Sequence, residues 1–329
     1  MLLLNKQDID KVFSMGDAIE ADKRAFEIFS NNESVVPLRT KLENTNNNGI
    51  NLFMPGYVEK LDNAGIKIVS IFPENSSKNK PVVPASMILI DNTTGEVNCI
   101  LDGTYLTQIR TGAASGAATD ILARKDSRIG ALFGTGGQAY KQLEAVLEAR
   151  ELELVKVYGR NKEKTQKFVD EVKIKLCKYK TQIIAAKDAD DAVIDADIIT
   201  LATSSNMPVF NGELVKKGCH INGIGSFTPQ MQEMDEYIIS NADKIYVDSV
   251  YACLEEAGDI IIPLDKGIIQ KDRIDGELGE VINKTIEGRE NDEEITIFKS
   301  VGIAVQDIVT ANRIYQKAIE CGIGSKVDI

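Results

Sequence analysis

Residues 134–139 (GTGGQA) form a glycine-rich loop of a kind that holds phosphate groups. The loop follows the apolar segment IGALF (129–133) and precedes a segment with helical spacing, as expected for a strand, a tight turn and a helix. Gly134 permits the turn, Gly136 lets the backbone approach a pyrophosphate, and Ala139 allows the helix to pack closely on the strand. Because the first N–H groups of a helix lack partners within it and can bind phosphates, the loop predicts a dinucleotide site. The other loop residues predicted to bind the cofactor are Thr135, Gly137 and Gln138.

The segment after the second predicted strand, VYGRN (157–161), bears on which dinucleotide binds. An NAD site has an acidic residue at the end of this strand, about 20 residues beyond the glycine loop, to hold the ribose 2′-hydroxyl. No carboxylate occupies that place, whereas Arg160 could face a 2′-phosphate and stack on adenine, with Asn161 beside it. The alternative is an exposed arginine that binds no ligand. The pattern favours NADP(H) as the cofactor, with NAD(H) as the alternative.

Two basic residues stand among apolar or small neighbours, where a charge is costly unless an opposite charge binds it. Arg110 belongs to a predicted helix at 104–123 that is otherwise rich in Thr, Gly, Ala and Ser, which let a ligand come close. A guanidinium there suits a bidentate carboxylate. Lys67, in GIKIVSIF, would share one strand face with apolar residues. From composition alone these cations, and Arg39 near the start of another strand, could equally be solvated surface charges.

The composition limits the classes of function. Thirty-eight basic and 50 acidic residues give a formal charge of −12, with no basic cluster and no Trp, which disfavours nucleic-acid binding. The five cysteines form no CxxC pair and His220 is the single histidine, so neither a metal site nor a Ser-His-Asp triad is expected. We expect His220, within the apolar run GCHINGI, to have a structural role. The lack of a long apolar segment and of a basic N-terminal region predicts a cytoplasmic protein with no membrane partner.

The elements that position these residues fall into two predicted domains. From residue 129 onward, short apolar runs alternate with helical segments, a pattern typical of a parallel sheet covered on both faces. This predicts an α/β fold with a doubly wound, NAD(P)-binding Rossmann domain at 124–303, which begins at the polar connector 124–128. The predicted strands of this domain lie at 129–133, 155–158, 181–186, 197–202, 219–224 and 244–248.

The remaining residues, 1–123 and 304–329, predict a mixed α+β domain that binds the substrate. Its last part has the apolar spacing of an amphipathic helix, which we expect to return to the N-terminal elements. The predicted N-terminal elements are a helix at 16–30, strands at 36–43, 50–55 and 65–72, a hairpin turning at 91–95 and the helix at 104–123.

Several motifs in this order resemble the ornithine cyclodeaminase/mu-crystallin family over nearly the whole chain. The resemblance implies a Rossmann domain combined with a substrate domain that is built from both ends of the chain and forms a homodimer. Members of the family include ornithine cyclodeaminases, alanine dehydrogenases, cyclic ketimine reductases, opine-type dehydrogenases and mu-crystallin, a binding protein. Besides the glycine loop, the motifs are VVPLRT (35–40), GIKIVSIFPEN (65–75), ILIDNTTGEV (88–97), VYGRN (157–161), GDIIIPLDKG (258–267) and a segment at 276–289.

The resemblance also implies roles for individual residues. The family places carboxylate-binding or catalytic cations at the positions of Lys67 and Arg110, and with weaker support at Arg39. We therefore predict that Lys67 and Arg110 are catalytic and bind the substrate. The other predicted substrate-binding residues are Arg39, Phe227, Ser300 and Gly302. The other predicted cofactor-binding residues are Thr111, Ala202, Thr203, Ser204, Gly225 and Ser226.

The segment INGIGSFTPQMQEMD (221–235) separates the reactions of the family. Cyclodeaminases carry a pattern like G-[AG]-D-x-P-G-K here, and its aspartate handles the amine protons. When Pro229 is aligned with the proline of that pattern, Phe227 stands in place of the aspartate and Met231 in place of the lysine. Two further acids, which we interpret as helix-start residues, are Glu233 and Asp235.

Loss of the aspartate favours imine reduction over deamination. Oxidative deamination needs a base that takes protons from an ammonium group, whereas a ketimine can enter protonated while Arg110 and Lys67 hold its carboxylate. The nicotinamide supplies the hydride, and the protein supplies orientation and charge. We predict an NAD(P)H-dependent oxidoreductase that reduces a cyclic ketimine carboxylate of the Δ1-pyrroline-2-carboxylate or Δ1-piperideine-2-carboxylate type.

Other functions remain as alternatives. One is an ornithine cyclodeaminase or an alanine- or opine-type dehydrogenase, and another is a mu-crystallin-like protein that binds NADPH and a small carboxylate without significant turnover. If Phe227 only packs in the core, another acid, such as Asp307, could handle protons instead.

Overall fold

The computed structural model describes residues 1–75 and 77–328. Up to residue 122 its elements are β1 (Leu2–Leu4), α1 (Lys6–Val12), α2 (Met15–Ser30), β2 (Ser34–Val35), β3 (Thr40–Asn44), β4 (Gly49–Val58), β5 (Asn63–Ile71), β6 (Ala85–Asp91), β7 (Val97–Asp102) and α3 (Gly103–Leu122). Residues 129–299 contain β8 (Ile129–Phe133), α4 (Ala139–Ala149), β9 (Leu154–Tyr158), α5 (Lys162–Lys175), β10 (Gln182–Ala185), α6 (Ala189–Val193), β11 (Ile198–Leu201), β12 (His220–Gly223), α7 (Glu236–Asn241), β13 (Lys244–Val247), α8 (Val250–Glu256), α9 (Gly258–Asp265), β14 (Gly276–Glu277), α10 (Leu278–Ile282) and β15 (Thr296–Lys299). They are followed by α11 (Ala304–Cys321) and β16 (Ser325–Lys326).

The chain divides into two compact units. The terminal unit comprises residues 1–110 and those from 303 onward, and the central unit comprises residues 111–302. The boundaries expected from the sequence were 123/124 and 303/304. The first division in the structure therefore falls inside α3, before the polar connector at 124–128.

The later part of α3 belongs to the central unit because its small polar side chains bond there. Ser115 Oγ donates to Gln142 Oε1 at 2.5 Å, and Asn222 Nδ2 donates to Thr119 Oγ1 at 3.0 Å. A Cβ on Gly112 would lie 2.5 Å from the Lys141 carbonyl oxygen, so glycine allows this close approach. No helix in the described part of the chain, α3 included, is long and apolar enough to cross a bilayer.

The terminal unit contains a sheet of strand order β16-β1-β7-β6-β5-β4-β2, with β3 also paired to β4. β1 and β7 run parallel, and the other paired strands run antiparallel. α11 packs against α2, β4 and β5. The predicted hairpin is present, since Gly95 N–H donates to the Asp91 carbonyl at 2.7 Å. The single strand expected at 36–43 is wrong: β2 and β3 flank Pro37, which has no N–H to continue the pairing.

The central unit contains a sheet of strand order β10-β9-β8-β11-β12-β15-β13-β14, in which every neighbouring pair is parallel. The segment β10-β9-β8-β11-β12 has the order 3-2-1-4-5 of a doubly wound dinucleotide-binding sheet. The strand order reverses between β8 and β11, where such sheets bind ligands at the carboxyl ends of the strands. This is the α/β fold predicted from the alternation of strands and helices.

Two strands of the central sheet were not predicted from the sequence, the two-residue β14 and the four-residue β15. β15 lies between β12 and β13 and is buried along its whole length. It is short and ends in Lys299, whose charge conceals the apolar pattern. The Lys299 side chain is buried because its Nζ lies 3.0 Å from Asp259 Oδ2.

Candidate active site

The glycine loop joins β8 to α4 at the carboxyl end of the parallel sheet. Gly134 has a φ of +103°, and a Cβ there would lie 2.5 Å from the Ala202 carbonyl oxygen, so glycine is required at this turn. A Cβ on Gly136 would meet no described atom within 4 Å, which leaves space beside the backbone for a bound group. Ala139 is fully buried and begins α4. The geometry has the features of a phosphate site at a helix N-terminus.

Two residues predicted to bind the cofactor carry buried oxygens that lack a hydrogen-bond partner in the described chain. They are Thr111 Oγ1, on the central-unit part of α3, and Gln138 Oε1, just before α4. A buried polar atom without a partner costs roughly 1–3 kcal/mol, so such atoms mark places where a ligand can complete the bonding. The hydroxyl and phosphate groups of a dinucleotide fit this need. Thr135 and Gly137, in the same loop, are partly or fully exposed.

The loop after β9 contains the residues predicted to select the cofactor. Arg160 is exposed, and none of the ion pairs found among the described residues includes it. Asn161 caps α5, because its Oδ1 accepts the Lys164 N–H at 2.9 Å. Gly159 lies close to Thr135 of the glycine loop. The Arg160 side chain is therefore available to a ligand. Asn161, in contrast, has a structural role as the cap of α5.

Glu233 ties together the loops that follow β11 and β12. Its carboxylate accepts N–H groups from Thr203 at 2.6 Å, Gly225 at 2.7 Å and Ser226 at 3.0 Å. Burial, and next the Asp259 carboxylate, raises the pKa of Glu233 from its usual value to about 7. The interpretation of Glu233 as a helix-start acid is therefore wrong, because the acid organises two loops from inside the protein.

This arrangement changes what the loop residues can do. The N–H groups of Thr203, Gly225 and Ser226 are already bound by Glu233, so they cannot also hold phosphates. Ala202 supplies the carbonyl beside Gly134, and Ser204 is exposed. The second acid, Asp235, does begin a helix: it is the N-cap of α7, and its Oδ1 accepts the N–H of Ile238 at 2.9 Å.

Ser300 and Gly302 were predicted to bind substrate, but their polar groups are engaged within the central unit. Ser300 Oγ donates to Asp248 Oδ2 at 2.7 Å, and the Gly302 N–H donates to the same oxygen at 2.6 Å. Val301 N–H donates to it as well, at 3.0 Å. Asp248 thus fixes the backbone after β15.

Phe227 lies in the loop after β12 and is half-buried, so its ring is not sealed in the core. The loop is held by the start of α9, where the Gly258 N–H donates to the Thr228 carbonyl at 3.2 Å. A Cβ on Gly258 would lie 2.0 Å from the Met231 carbonyl oxygen, so the contact requires glycine. His220 has the expected structural role: it is fully buried between Thr296 Oγ1 at 2.9 Å and Asn222 Oδ1 at 3.2 Å.

In the terminal unit, the buried charges meet on the inner face of the sheet. Lys67 lies on β5 between Met54 of β4 and Met87 of β6, and its side chain is 1% exposed. Its Nζ donates to Asp307 Oδ2 of α11 at 2.7 Å. Burial, and next the Arg110 guanidinium, lowers the pKa of Lys67 to about 7, although Asp307 opposes the change. Lys67 can therefore exchange a proton near neutral pH.

Arg110 lies beside the same carboxylate. Its Nε is 3.1 Å from Asp307 Oδ1, but neither atom makes a hydrogen bond to a described residue, so this ion pair is close but poorly aligned. Arg110 Nη1 donates to Gln306 Oε1 at 3.4 Å, which is a long contact. Arg39 is half-buried, and its charge also lowers the pKa of Lys67. A guanidinium with unused donors beside two further cations suits an anionic ligand.

Three polar residues of this cluster were not predicted as site residues from the sequence. Asp307 appeared only as an alternative proton carrier, and Gln306 and Asp22 were not considered. The sequence contains a signal that could have identified Asp307 and Asp22, because each of these acids lies on the apolar face of its helix. Asp307 follows Ala304 and precedes Ala311 at helical spacing, as Asp22 does between Ala18 and Ala25, and these four alanines are buried.

The family model of the ornithine cyclodeaminase/mu-crystallin family matches residues 1–322. The chain belongs to this family. The resemblance inferred from the ordered motifs is confirmed. The inserted Rossmann-type unit and the terminal sheet are the two parts that the resemblance implied.

Three relatives with solved structures or assigned activities match the chain over 99–100% of its length. A Δ1-pyrroline-2-carboxylate reductase of Bacillus cereus (strain ZK / E33L) is 40% identical over 100% of both chains. The structure of the Thermococcus litoralis Δ1-pyrroline-2-carboxylate reductase with NADH and L-proline is 42% identical, covers 99% of this chain and 100% of its own, and has a TM-score of 0.94. An archaeal alanine dehydrogenase dimer with bound NAD is 35% identical, covers 100% and 99%, and has a TM-score of 0.92. The predicted α/β fold is therefore confirmed.

Proposed function

We propose that this protein is an NAD(P)H-dependent oxidoreductase that reduces Δ1-pyrroline-2-carboxylate to proline. The observation that carries the proposal is the buried Lys67–Asp307 pair beside Arg110, because it combines a proton donor with a carboxylate-binding cation. The Bacillus cereus and Thermococcus litoralis relatives, both named as reductases of this substrate, support the choice of ring. Phe227, in place of the cyclodeaminase aspartate, supports reduction over deamination.

The carboxylate of the substrate is the group that the cations bind. Arg110 offers Nε, which has no hydrogen-bond acceptor among the described residues, and Arg39 adds a second guanidinium. A carboxylate bound to Arg110 replaces a poorly aligned contact with aligned, charge-assisted hydrogen bonds. The carboxylate at C2 is therefore the handle that orients the ring.

The ring nitrogen needs a proton when the C=N bond is reduced, because hydride adds only to carbon. The reduced nicotinamide supplies the hydride when it is bound. Lys67 Nζ is the proton donor in this proposal, and its pKa near 7 suits proton transfer at neutral pH. Asp307 Oδ2 holds the ammonium in place before the transfer and accepts a hydrogen bond from the neutral amine afterwards.

NADP(H) is the favoured cofactor in this proposal, and NAD(H) is also accepted, as it is bound by the two solved relatives. The support for NADP(H) is the exposed Arg160, in a place where an NAD site has an acid. We expect Arg160→Ala to weaken NADPH binding roughly fivefold, as for an exposed charge pair, and to leave NADH binding unchanged. Fluorescence titration measures both, with Lys173→Ala, on the helix α5 that follows this loop, as the control. A clear preference of the unmodified protein for NADH contradicts the assignment.

The protein is proposed to form a homodimer through the outer face of the terminal sheet. Ile66, Ile88 and Ile100 face one another across β5, β6 and β7 and are only half-buried, so they form an apolar row. The occupant we propose is a second copy of the chain, supported by the dimeric archaeal relative. Light scattering should give twice the mass of the chain and a monomer for Ile88→Glu, with Ile174→Glu on α5 unchanged. A monomeric unmodified protein contradicts the proposal.

The reaction is tested by one panel of substrates. We expect Δ1-pyrroline-2-carboxylate to cause oxidation of NADPH, which is measured as a loss of NADPH absorbance. We expect the protein to release little ammonia from L-ornithine in the presence of NAD⁺. Faster turnover with pyruvate and ammonia would favour an alanine dehydrogenase, which the archaeal relative makes the second candidate. Robust ammonia release from L-ornithine would contradict reduction as the main activity. Binding of NADPH without turnover of any substrate would leave a mu-crystallin-like binding protein.

A further inference from the structure

Asp22 is a fully buried carboxylate on α2 that makes no hydrogen bond to a basic side chain of the described chain. Gln306 Nε2 donates to its Oδ2 at 2.9 Å, and Thr310 Oγ1 donates to its Oδ1 at 3.5 Å. Its neighbours along the helix stripe, Ala18 and Ala25, are also fully buried. An apolar residue would pack at this position without the cost of burying a carboxyl group. Packing therefore gives no reason for an acid here.

Gln306 connects Asp22 to the cation that binds the substrate. Its amide has two different ends: Nε2 donates to Asp22, while Oε1 accepts from Arg110 Nη1 at 3.4 Å and from the Ile303 N–H at 3.0 Å. Because Asp22 offers an oxygen acceptor, it holds the NH₂ end and keeps the carbonyl end towards Arg110. If the amide turned round, two donors would face each other at the guanidinium.

Asp22 also affects the charge of the cluster. Protonated Lys67 and Arg110 are positive and Asp307 is negative, so the cluster has a net positive charge while Asp22 is neutral. Burial raises the pKa of Asp22 to about 8, with Gln306 and Arg110 opposing the rise and Asp307 adding to it. Below about pH 7, where Lys67 keeps its proton, neutral Asp22 thus preserves the positive charge for an anionic ligand.

We propose that Asp22 is a positioning residue that acts through Gln306 to hold the Arg110 guanidinium for the carboxylate of the substrate. The inference rests on the function proposed above and deepens it. The charged groups that act on Asp22 are Arg110 from α3 and Asp307 from α11, and Lys67 of β5 lies on the far side of Asp307. When the pH rises through about 8, Asp22 ionises and adds a negative charge to a cluster in which Lys67 has already lost its proton, so KM for the carboxylate substrate rises further.

The test compares three variants of α2. Asp22→Leu removes the acceptor, Asp22→Asn keeps a neutral amide oxygen, and Ile19→Val, 5% exposed on the same helix, controls for lost packing. We expect Asp22→Leu to raise KM for Δ1-pyrroline-2-carboxylate about tenfold, the effect of losing one hydrogen bond in this chain of contacts, with little change in kcat. Asp22→Asn should have the KM of the unmodified protein at neutral pH and should lack the rise in KM near pH 8.

Several results would overturn the proposal. One is an unchanged KM in Asp22→Leu, and another is a similar loss in all three variants, which indicates packing alone. A fall in kcat at constant KM also contradicts a positioning role. If Asp22→Leu does not fold, Asp22→Asn decides, because a rise in KM near pH 8 that is as large in this variant as in the unmodified protein refutes the role of Asp22.

Binding of L-proline in the presence of NADH, measured by calorimetry, separates this inference from the proposed function. This ligand pair is the one bound by the Thermococcus litoralis reductase. If no ketimine is reduced but Asp22→Leu weakens L-proline binding and Asp22→Asn restores it, the proposed function fails and the role of Asp22 stands. If the ketimine is reduced and L-proline binds equally to all variants, the role of Asp22 fails alone.

Discussion

The two units each bury a lysine against an aspartate, yet the surroundings of the two pairs differ. In the central unit, Lys299 Nζ lies 3.0 Å from Asp259 Oδ2, and both side chains are fully buried. Asp259 Oδ1 accepts the N–H groups of Glu233 at 2.6 Å and Met234 at 3.0 Å, so this carboxylate is fixed from its other side.

The pair in the terminal unit is bonded differently: Lys67 Nζ donates to Asp307 Oδ2, whereas Lys299 Nζ and Asp259 Oδ2 make no hydrogen bond to a described residue. Asp307 Oδ1 has no hydrogen-bond partner in the described chain, and Arg110 and Arg39 place further positive charge beside Lys67. A buried carboxylate that also binds backbone N–H groups can hold loops in place. A pair that stands beside an arginine whose Nε makes no hydrogen bond to a described residue, as Arg110 does, is arranged for a ligand. The two pairs therefore differ at the aspartate oxygen that does not face the lysine. In Asp259 this oxygen, Oδ1, accepts backbone N–H groups, as expected of a scaffold. In Asp307 the corresponding Oδ1 has no hydrogen-bond partner in the described chain, as expected of a candidate reaction site.

The largest effect is expected when the proton donor of the terminal pair is removed. Lys67→Met should lower kcat roughly 10²–10⁴-fold, the usual contribution of a general acid, because the proposed proton donor is lost. Binding of NAD(P)H should be unchanged. Steady-state kinetics and cofactor titration measure both, and near-normal turnover would show that Lys67 does not supply the proton.

The matching change in the central pair should act on stability. Lys299→Met leaves Asp259 buried without its cation, and breaking a buried pair costs about 3–5 kcal/mol. Denaturant unfolding followed by circular dichroism measures this loss, and the folded fraction should keep kcat within severalfold. If Lys299→Met abolished turnover with no loss of stability, the scaffold role of this pair would be wrong.

Arg110→Ala removes the surplus cation beside the terminal pair. KM for Δ1-pyrroline-2-carboxylate should rise steeply, by an amount that corresponds to about 2–5 kcal/mol, because the carboxylate loses a charge-assisted partner. Cofactor affinity should hardly change. A collapse of NADPH binding would mean that Arg110 acts on the cofactor and not on the substrate.

The smallest expected effect is on the pH dependence of the reaction, which also tests the terminal pair. The pKa of Lys67 is lowered to about 7, so the ammonium form predominates below that pH and is lost above it. We expect kcat/KM to fall about tenfold per pH unit on the alkaline side, because the protonated form is the donor. The residual rate of Lys67→Arg should lack the change near pH 7, since a guanidinium stays protonated. An unaltered profile in this variant would assign that titration to another group.

Features that depend on neighbours in the sequence were the ones predicted best. Gly134 and Ala139 identify the nucleotide loop because the turn and the helix packing are local constraints. The strand carrying Lys67 was also predicted, since its apolar alternation is local. The prediction of a catalytic role for Lys67 needed the family resemblance, because a lone lysine on a strand is equally consistent with a surface charge.

Contacts between distant residues could not be predicted in the same way. Lys67 and Asp307 are 240 positions apart, and Asp22 and Gln306 are 284 apart, so no local pattern brings them together. Glu233 was misinterpreted for the opposite reason. A local rule for acids near a helix start fitted the sequence, while three backbone N–H groups, among them that of Thr203, 30 positions away, determine what the side chain does.

The assembly of the substrate cluster from both parts of the terminal unit has a consequence during synthesis. The central unit is one continuous stretch, 111–302, so it can fold as soon as that stretch has left the ribosome. The ion pair between Lys67 and Asp307 can form only after Asp307 is translated, which follows translation of the whole central unit. A chain interrupted before α11 would carry the complete nucleotide-binding stretch, but its buried lysine would have no carboxylate to neutralise it. A truncated product of this kind is expected to retain cofactor without the means to use it.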